Sequence, residues 1–262
     1  IARSTISLCY QPLVNLATGG VDCVEALLRW QHPTLGDVSP SEFIGMAETT
    51  DLIWPLTEWT LHEAVRQLRE WRRQELAVRV AVNVSARMLQ DRSYPERLAA
   101  LLSGSGIEGA WLELEITESA MMADPQRALS VLQRVHELGL QISVDDFGTG
   151  FSSLAYLRDL PVQALKVDKS FVIDMHERSD NRIIVDSTAQ MAHALSLRVI
   201  AEGVETRWHA EHLTAVGYDY GQGYYYSAAL PPEQLRAWIS TRRACAPVRV
   251  ALDESGSERA TG

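Results

Sequence analysis

The chain has 262 residues, 46% of them apolar, which is ample for one large core, and its formal net charge is −10. The acid excess is spread along the chain and excludes a general nucleic-acid binder, which needs a basic face, so no DNA binding is expected. Cys9, Cys23 and Cys245 form no CxxC or other zinc spacing; with no run long enough to cross a bilayer, the expectation is a cytoplasmic domain without a disulfide framework.

Residues 6–14 (ISLCYQPLV) and 21–30 (VDCVEALLRW) read as strands, and only NLATGG separates them. That link is too short for a parallel crossover, so the two strands should form an antiparallel hairpin. A helix is expected over 55–74, where Leu61, Ala64, Val65, Leu68 and Trp71 fall on one stripe. Further strands are expected at 78–85, 110–117, 140–146, 164–168, 197–203 and, with the weakest pattern, 217–223. Several are nearly continuous apolar runs, which suits burial on both faces of a parallel sheet. Between them, Pro125 opens a helix over 125–138 with Ala128, Val131, Leu132, Val135 and Leu138 as its stripe and Gly139 as its stop. In 181–195 the stripe is read as Ile184, Met191, Ala194 and Leu195.

Strands alternating with helices imply βαβ units. Eight strands over about 240 residues imply an α/β fold, a TIM-like (β/α)8 barrel whose first strand is reversed. Residues 242–262 lose periodicity and read as a disordered tail or linker following a domain over 1–241.

A barrel builds its active site where its strands end. The strand ends carry Glu25, Asn83, Glu115, Asp145 with Asp146, Lys166 with Asp168, Glu202 and Gln222, while Arg29 follows Glu25 on the second strand. Each has a plain structural reading alone: a strand Asn is often a satisfied buried amide, and Asp145 or Asp146 could cap a helix. Together they would require at least six unrelated accidents at equivalent positions. Clustered carboxylates repel unless cations compensate. Oxygen donors suit Mg²⁺ or Mn²⁺, and adjacent carboxylates can help hold two such ions, an arrangement used for phosphate-ester cleavage. Lys166 can neutralise developing charge, and Arg29 suits a phosphate. The DFG triplet at 146–148 does not make a kinase, since no HRD loop or VAIK-type lysine accompanies it.

In order along residues 8–241, YQPLVNLATG, EALLRW, VNVS, LELEITES, DDFGTGFSSL, LKVDKSFV, AEGVET and QGYYYS resemble the EAL-domain phosphodiesterases of bacterial cyclic di-GMP signalling. The resemblance implies hydrolysis of cyclic di-GMP to linear pGpG with Mg²⁺ or Mn²⁺, two ions being expected. By motif it implies Glu25, Asn83, Glu115, Asp145 and Asp146 as metal ligands, with Asp168 and Gln222 in supporting or metal-linked roles. Lys166 and Glu202 would position or activate water, and Gln11 and Arg29, with Gln222 beside them, would contact substrate. Glu118 would anchor the DDFGTGFSS loop, which is expected to couple metal binding to a homodimer. Departures from the usual pattern are Asp51, Phe151 and Ala229. The chain starts at Ile1 without Met, so an upstream sensory or GGDEF domain, or a membrane anchor, has room in a longer protein. The alternative to an enzyme is a catalytically weak cyclic di-GMP receptor reporting to a partner domain.

Overall fold

The computed structural model describes residues 6–150 and 154–245, with side chains to residue 242. Its strands are β1 Ile6–Asn15, β2 Val21–His32, β3 Gly36–Val38, β4 Arg79–Asn83, β5 Leu112–Thr117, β6 Gln141–Phe147, β7 Ala164–Val167, β8 Arg198–Ala201 and β9 Tyr220–Gly221. The helices between and after them are α1 Pro40–Glu48, α2 Ile53–Arg73, α3 Ala86–Leu89, α4 Tyr94–Ser105, α5 Glu118–Met122 and α6 Pro125–Glu137. They continue as α7 Leu154–Asp159, α8 Lys169–Ile173, α9 Ser179–Ala194, α10 Arg207–Val216 and α11 Pro232–Cys245. No helix among the described residues is long and apolar enough to cross a membrane.

The sheet runs β1-β9-β8-β7-β6-β5-β4-β2-β3, and a β1–β2 pairing closes eight of these strands into a barrel. From β4 to β9 successive pairings are parallel. β1 lies antiparallel to both β2 and β9, the reversal that the short NLATGG link required. The short β3 was not expected; it folds back on the end of β2 and stays outside the barrel.

Side chains alternate along each strand, so each strand feeds two cores. Outward residues such as Val80, Val82, Leu112, Leu114 and Val144 meet the helices in the main core. Inward, Leu13, Cys23, Ala81, Ala164, Ile200 and Tyr220 form a separate small cluster. This apolar plug sits partway along the barrel. Polar side chains therefore occur inside the barrel on either side of it: Glu113 toward the strand starts and Glu115 toward the strand ends, two residues apart on β5.

The stripes expected for α2 and α6 are buried, apart from a partly exposed Leu138, and Gly139 ends α6 at a φ of 84°. In α9 the expected stripe is displaced by one position. Val185, Thr188, Ala189 and Ala192 are buried, whereas Ile184 is 38% exposed. The large Ile184 drew the reading, but small residues let this helix lie close on the sheet. The last helix reaches Cys245, past the expected end of the domain at 241. Of the expected tail over 242–262, residues 246–262 lie outside the described residues, as does Phe151.

The barrel's last turn is fixed by a backbone zipper. Val204 donates to the Gln222 carbonyl at 2.9 Å, and Tyr225 donates to the Val204 carbonyl at 2.9 Å. Gly223 sits between them, and a Cβ there would fall 2.2 Å from the Val204 carbonyl oxygen. Gly223→Ala therefore forces the backbone apart and should cost about 3 kcal/mol, read as a lower urea midpoint.

Candidate active site

Lys166, near the end of β7, is fully buried, and its ammonium is enclosed by acids from three other strands and from the residue that follows β8. Its Nζ lies 2.7 Å from Glu202, 2.9 Å from Glu115, 3.3 Å from Asp145 and 3.6 Å from Glu25. Strand register explains the convergence. Gln11 stands opposite Glu25, Asn83 opposite Glu115, and Thr117 opposite Asp145. Amides finish the enclosure: Asn83 donates to Glu25 Oε1 at 2.6 Å, and Gln222 donates to Glu25 Oε2 at 2.6 Å. Gln222 also donates to Gln11 Oε1 at 3.1 Å, and Gln11 in turn donates to the Ser227 carbonyl.

Adjacent residues of a strand point to opposite faces, yet Asp145 and Asp146 serve one site. The chain achieves this by breaking the strand. The β6–β7 register shifts between Val144 and Phe147, and Asp146 takes a left-handed φ of 53°. Such a backbone costs energy for a residue other than glycine and is held only by its surroundings. Here Asp146 N–H donates to Asp145 Oδ1, and the Asp146 carbonyl accepts from the Thr149 hydroxyl at 2.8 Å. As a result, carboxylate oxygens of Asp145, Asp146 and Glu202 lie within 4.8 Å of one another.

Behind this turn, Glu118 is buried at the start of α5, and its Oε2 accepts from Gly148 N at 3.0 Å and Gly150 N at 3.2 Å. A Cβ on Gly150 would lie 2.9 Å from that carboxyl, so glycine is needed for the approach. Asp168 does two things: it faces Asp146, and it caps α8 by accepting from Ser170 N at 3.0 Å. Arg29 is not brought in with the rest. Its guanidinium folds back to donate to the Leu28 carbonyl at 2.8 Å. Asp51, in the turn before α2, pairs with Arg87 at 2.9 Å, tying that turn to the segment after Asn83.

A cavity of about 380 Å³ opens above the acids, and Glu25, Asp145, Glu202 and Gln222 reach it. Tyr224, from a tyrosine run whose sequence suits barrel packing or a rim position, also lines it, as do Lys169 and Glu205, which were not expected site residues. Their signal was position: each lies within a few residues of a strand end.

The charges are unbalanced. Burial pushes Glu25 up, but Lys166 and the amides of Gln222 and Asn83 outweigh it and leave the carboxyl below its ordinary value. Burial, then the charge of Glu25, push Glu115 well up. Burial likewise raises Glu202 to about 8 despite Lys166, and raises Asp146, with help from Asp145. Burial alone would lower Lys166, but Asp145, Glu115, Glu202 and Glu25 overcome it, so the amine keeps its proton. Four carboxyl groups thus share one ammonium, with Asp146 beside them. Neither oxygen of Glu115 has a hydrogen bond of good geometry, nor does Gln222 Oε1. Hard oxygen donors, convergent and short of positive charge, fit a divalent cation such as Mg²⁺ or Mn²⁺.

A profile described as the EAL domain matches residues 1–229. The chain belongs to the EAL domain family. Among relatives of this EAL domain is the cyclic di-GMP phosphodiesterase PA2567 of Pseudomonas aeruginosa, 44% identical over 88% of this chain and 40% of the relative. The cyclic di-GMP phosphodiesterase PdeR of Escherichia coli is 39% identical over 87% of this chain and 34% of the relative. Among solved structures, the PaMucR phosphodiesterase in its c-di-GMP complex superposes with a TM-score of 0.85 at 39% identity, covering 88% of this chain and 94% of that one. The chain spans less than half the length of these two curated relatives.

Proposed function

We propose that this chain is a divalent-metal-dependent phosphodiesterase that hydrolyses one phosphodiester bond of cyclic di-GMP to give linear 5′-pGpG. The observation that carries the reading is the enclosure of a fully buried Lys166 by Glu25, Glu115, Asp145 and Glu202, with Asp146 turned in beside them. Relatives named as cyclic di-GMP phosphodiesterases support the substrate.

In this reading Glu25, Asn83, Glu115, Asp145 and Asp146 hold the metal, and Asp168 steadies Asp146. When bound, the metal supplies Lewis-acid activation of water and charge neutralisation at the phosphate. Lys166 keeps its proton and, with Glu202, orients the attacking water. Hydrolysis adds the hydroxyl to phosphorus, breaks the bond to the 3′ oxygen and leaves a proton on that oxygen. Gln11 and Gln222 form a hydrogen-bonded edge of the cavity beside Glu25, suited to fixing the substrate. Arg29, whose Nη1 donates to the Leu28 carbonyl, has further guanidinium N–H groups with which to contact a substrate phosphate.

The test is incubation with cyclic di-GMP and Mn²⁺ or Mg²⁺, with chromatography for pGpG and an EDTA control. Product should form with metal and vanish with EDTA. Saturating Mn²⁺ should also raise the melting temperature, since an ion at about 100 times its Kd adds about 2.7 kcal/mol. Binding of cyclic di-GMP without product, in the presence of metal, would replace the enzyme by the receptor reading.

A further inference from the structure

Of the 24 Lys and Arg residues in this chain only two are lysines, Lys166 and Lys169. On the outer helix faces and in the surface ion pairs the cation is arginine. Both lysines stand at the chemical end of the barrel, in opposite circumstances. Lys166 is fully buried, with four carboxyl groups around its Nζ. Lys169, at the start of α8, is exposed and lines the cavity above those acids. Among the described residues its ammonium makes no ion pair and no hydrogen bond.

The base of that side chain is fixed. Gly203 packs on it so closely that a Cβ there would fall 2.7 Å from Lys169 Cβ and 3.2 Å from its Cα. The start of α8 is thereby held against the backbone just after Glu202, and a flexible stem carries the ammonium over the cavity. Among the described residues that line this cavity Lys169 is the one cation, and its charged companions are Glu25, Asp145, Glu202 and Glu205. An arginine at this place would offer a planar fork that a neighbouring carboxylate grips with two hydrogen bonds; an ammonium is a compact point charge without that geometry. Lysine thus keeps a cation available where acids surround it, and such a cation offsets the repulsion that an incoming anion meets there.

Cyclic di-GMP carries two phosphodiester groups in one ring. When one of them lies at the acids that hold the metal, the ring keeps the other close by, where the charged lining side chains apart from Lys169 are acids. We propose that Lys169 is a substrate-binding residue whose ammonium takes the phosphodiester group that is not being cleaved. The proposal rests on the phosphodiesterase reading for its substrate. Its effect falls on affinity, because the uncleaved group carries the same charge in the ground state and the transition state, and a contact made equally in both lowers KM without raising kcat.

The experiment compares the parent with Lys169→Met, which keeps an unbranched stem and removes the charge, and with Lys169→Glu, which reverses it. Cyclic di-GMP hydrolysis with Mn²⁺ is measured at low and high NaCl. KM should rise at least about tenfold in Lys169→Met, the scale of one lost charge-assisted contact, and further in Lys169→Glu. In both variants kcat should stay within about threefold of the parent. Raising NaCl from about 50 to about 500 mM should raise the KM of the parent more steeply than that of Lys169→Met, because screening acts only on a charge that is present. An unchanged KM in both variants overturns the proposal. So does a fall in kcat at constant KM, which would put Lys169 on the cleaved group, and so does an equal rise in KM for Met and Glu with the parent's salt dependence, which would make the side chain a spacer. If the parent does not hydrolyse cyclic di-GMP, the functional reading fails and equilibrium binding with Mn²⁺ decides: weaker binding in Lys169→Met than in the parent sustains the phosphate contact, whereas equal binding, or none by the parent, overturns it.

Discussion

Lys166→Met should abolish measurable hydrolysis, lowering kcat by about 10²–10⁴-fold, the range for losing a group that acts on the proton inventory of the transition state. It should also weaken the fold. Lys166 is a fully buried ammonium with four carboxyl groups within 4 Å, and removing one partner of a buried ionic set costs about 3–5 kcal/mol, since the remaining charges cannot reach water. The two losses separate experimentally. In EDTA the urea midpoint of Lys166→Met should drop well below that of the parent, and Mn²⁺ should narrow the gap because the metal compensates the same carboxylates. Hydrolysis should not return with the metal, since orientation of the water is still missing. Near-parental turnover would remove Lys166 from the mechanism.

The same cluster gives the metal-free parent a pH dependence of known sign. Burial lifts Glu202 from an ordinary 4.5 to about 8. A carboxyl raised on folding contributes stability below its unfolded value and loses it as pH rises through the folded one. The Glu202 contribution in EDTA should therefore decline between pH 4.5 and about 8, and saturating Mn²⁺ should flatten that decline. Urea midpoints across this window, with and without metal, measure it.

The rim was legible because barrel geometry converts sequence position into place. Asn83, Glu115, Asp145 and Lys166 lie in the later halves of parallel strands, whose register carries them to one face, and Glu25 joins them from the middle of the long β2, opposite Ala81. The reversed first strand followed from the length of a single link. What stayed hidden depended on backbone or on distant partners. Nothing in VDDFG announces that Asp146 takes a left-handed turn, although adjacent carboxylates on one strand required some break. β3 is three residues with no periodicity. Gln222 was placed on a seven-residue strand, whereas β9 is only Tyr220–Gly221; its carbonyls and amides find partners in the loop zipper instead.

Glu113 was missed for a related reason, and its replacement should be the most destabilising change away from the site. In LELEIT the leucines and isoleucine face the helices, so an alternating pattern ordinarily read as half-solvated has its polar face inside the barrel. Glu113 is 1% exposed, and its Oε2 lies 3.6 Å from Arg79 Nη1 and 3.7 Å from Arg198 Nη2. Cys23 approaches the same oxygen at 3.9 Å, with its thiol kept neutral first by burial and then by the Glu113 charge. Arg79 extends the network to Asp22, which accepts from the Tyr220 hydroxyl at 2.9 Å. This cluster plugs the barrel's other end, where side chains serve stability and not chemistry. Glu113→Gln keeps the shape but leaves two guanidinium groups against a neutral amide, at a cost of about 3–5 kcal/mol in the urea midpoint. Hydrolysis measured well below the melting temperature should change little. Glu115→Gln, two residues along the same strand, should do the reverse: it removes a repelled carboxylate beside Glu25, costs little stability in EDTA and removes activity. A stability loss confined to Glu115, or an activity loss at Glu113 with the fold intact, would overturn this division of β5 into a structural end and a chemical end.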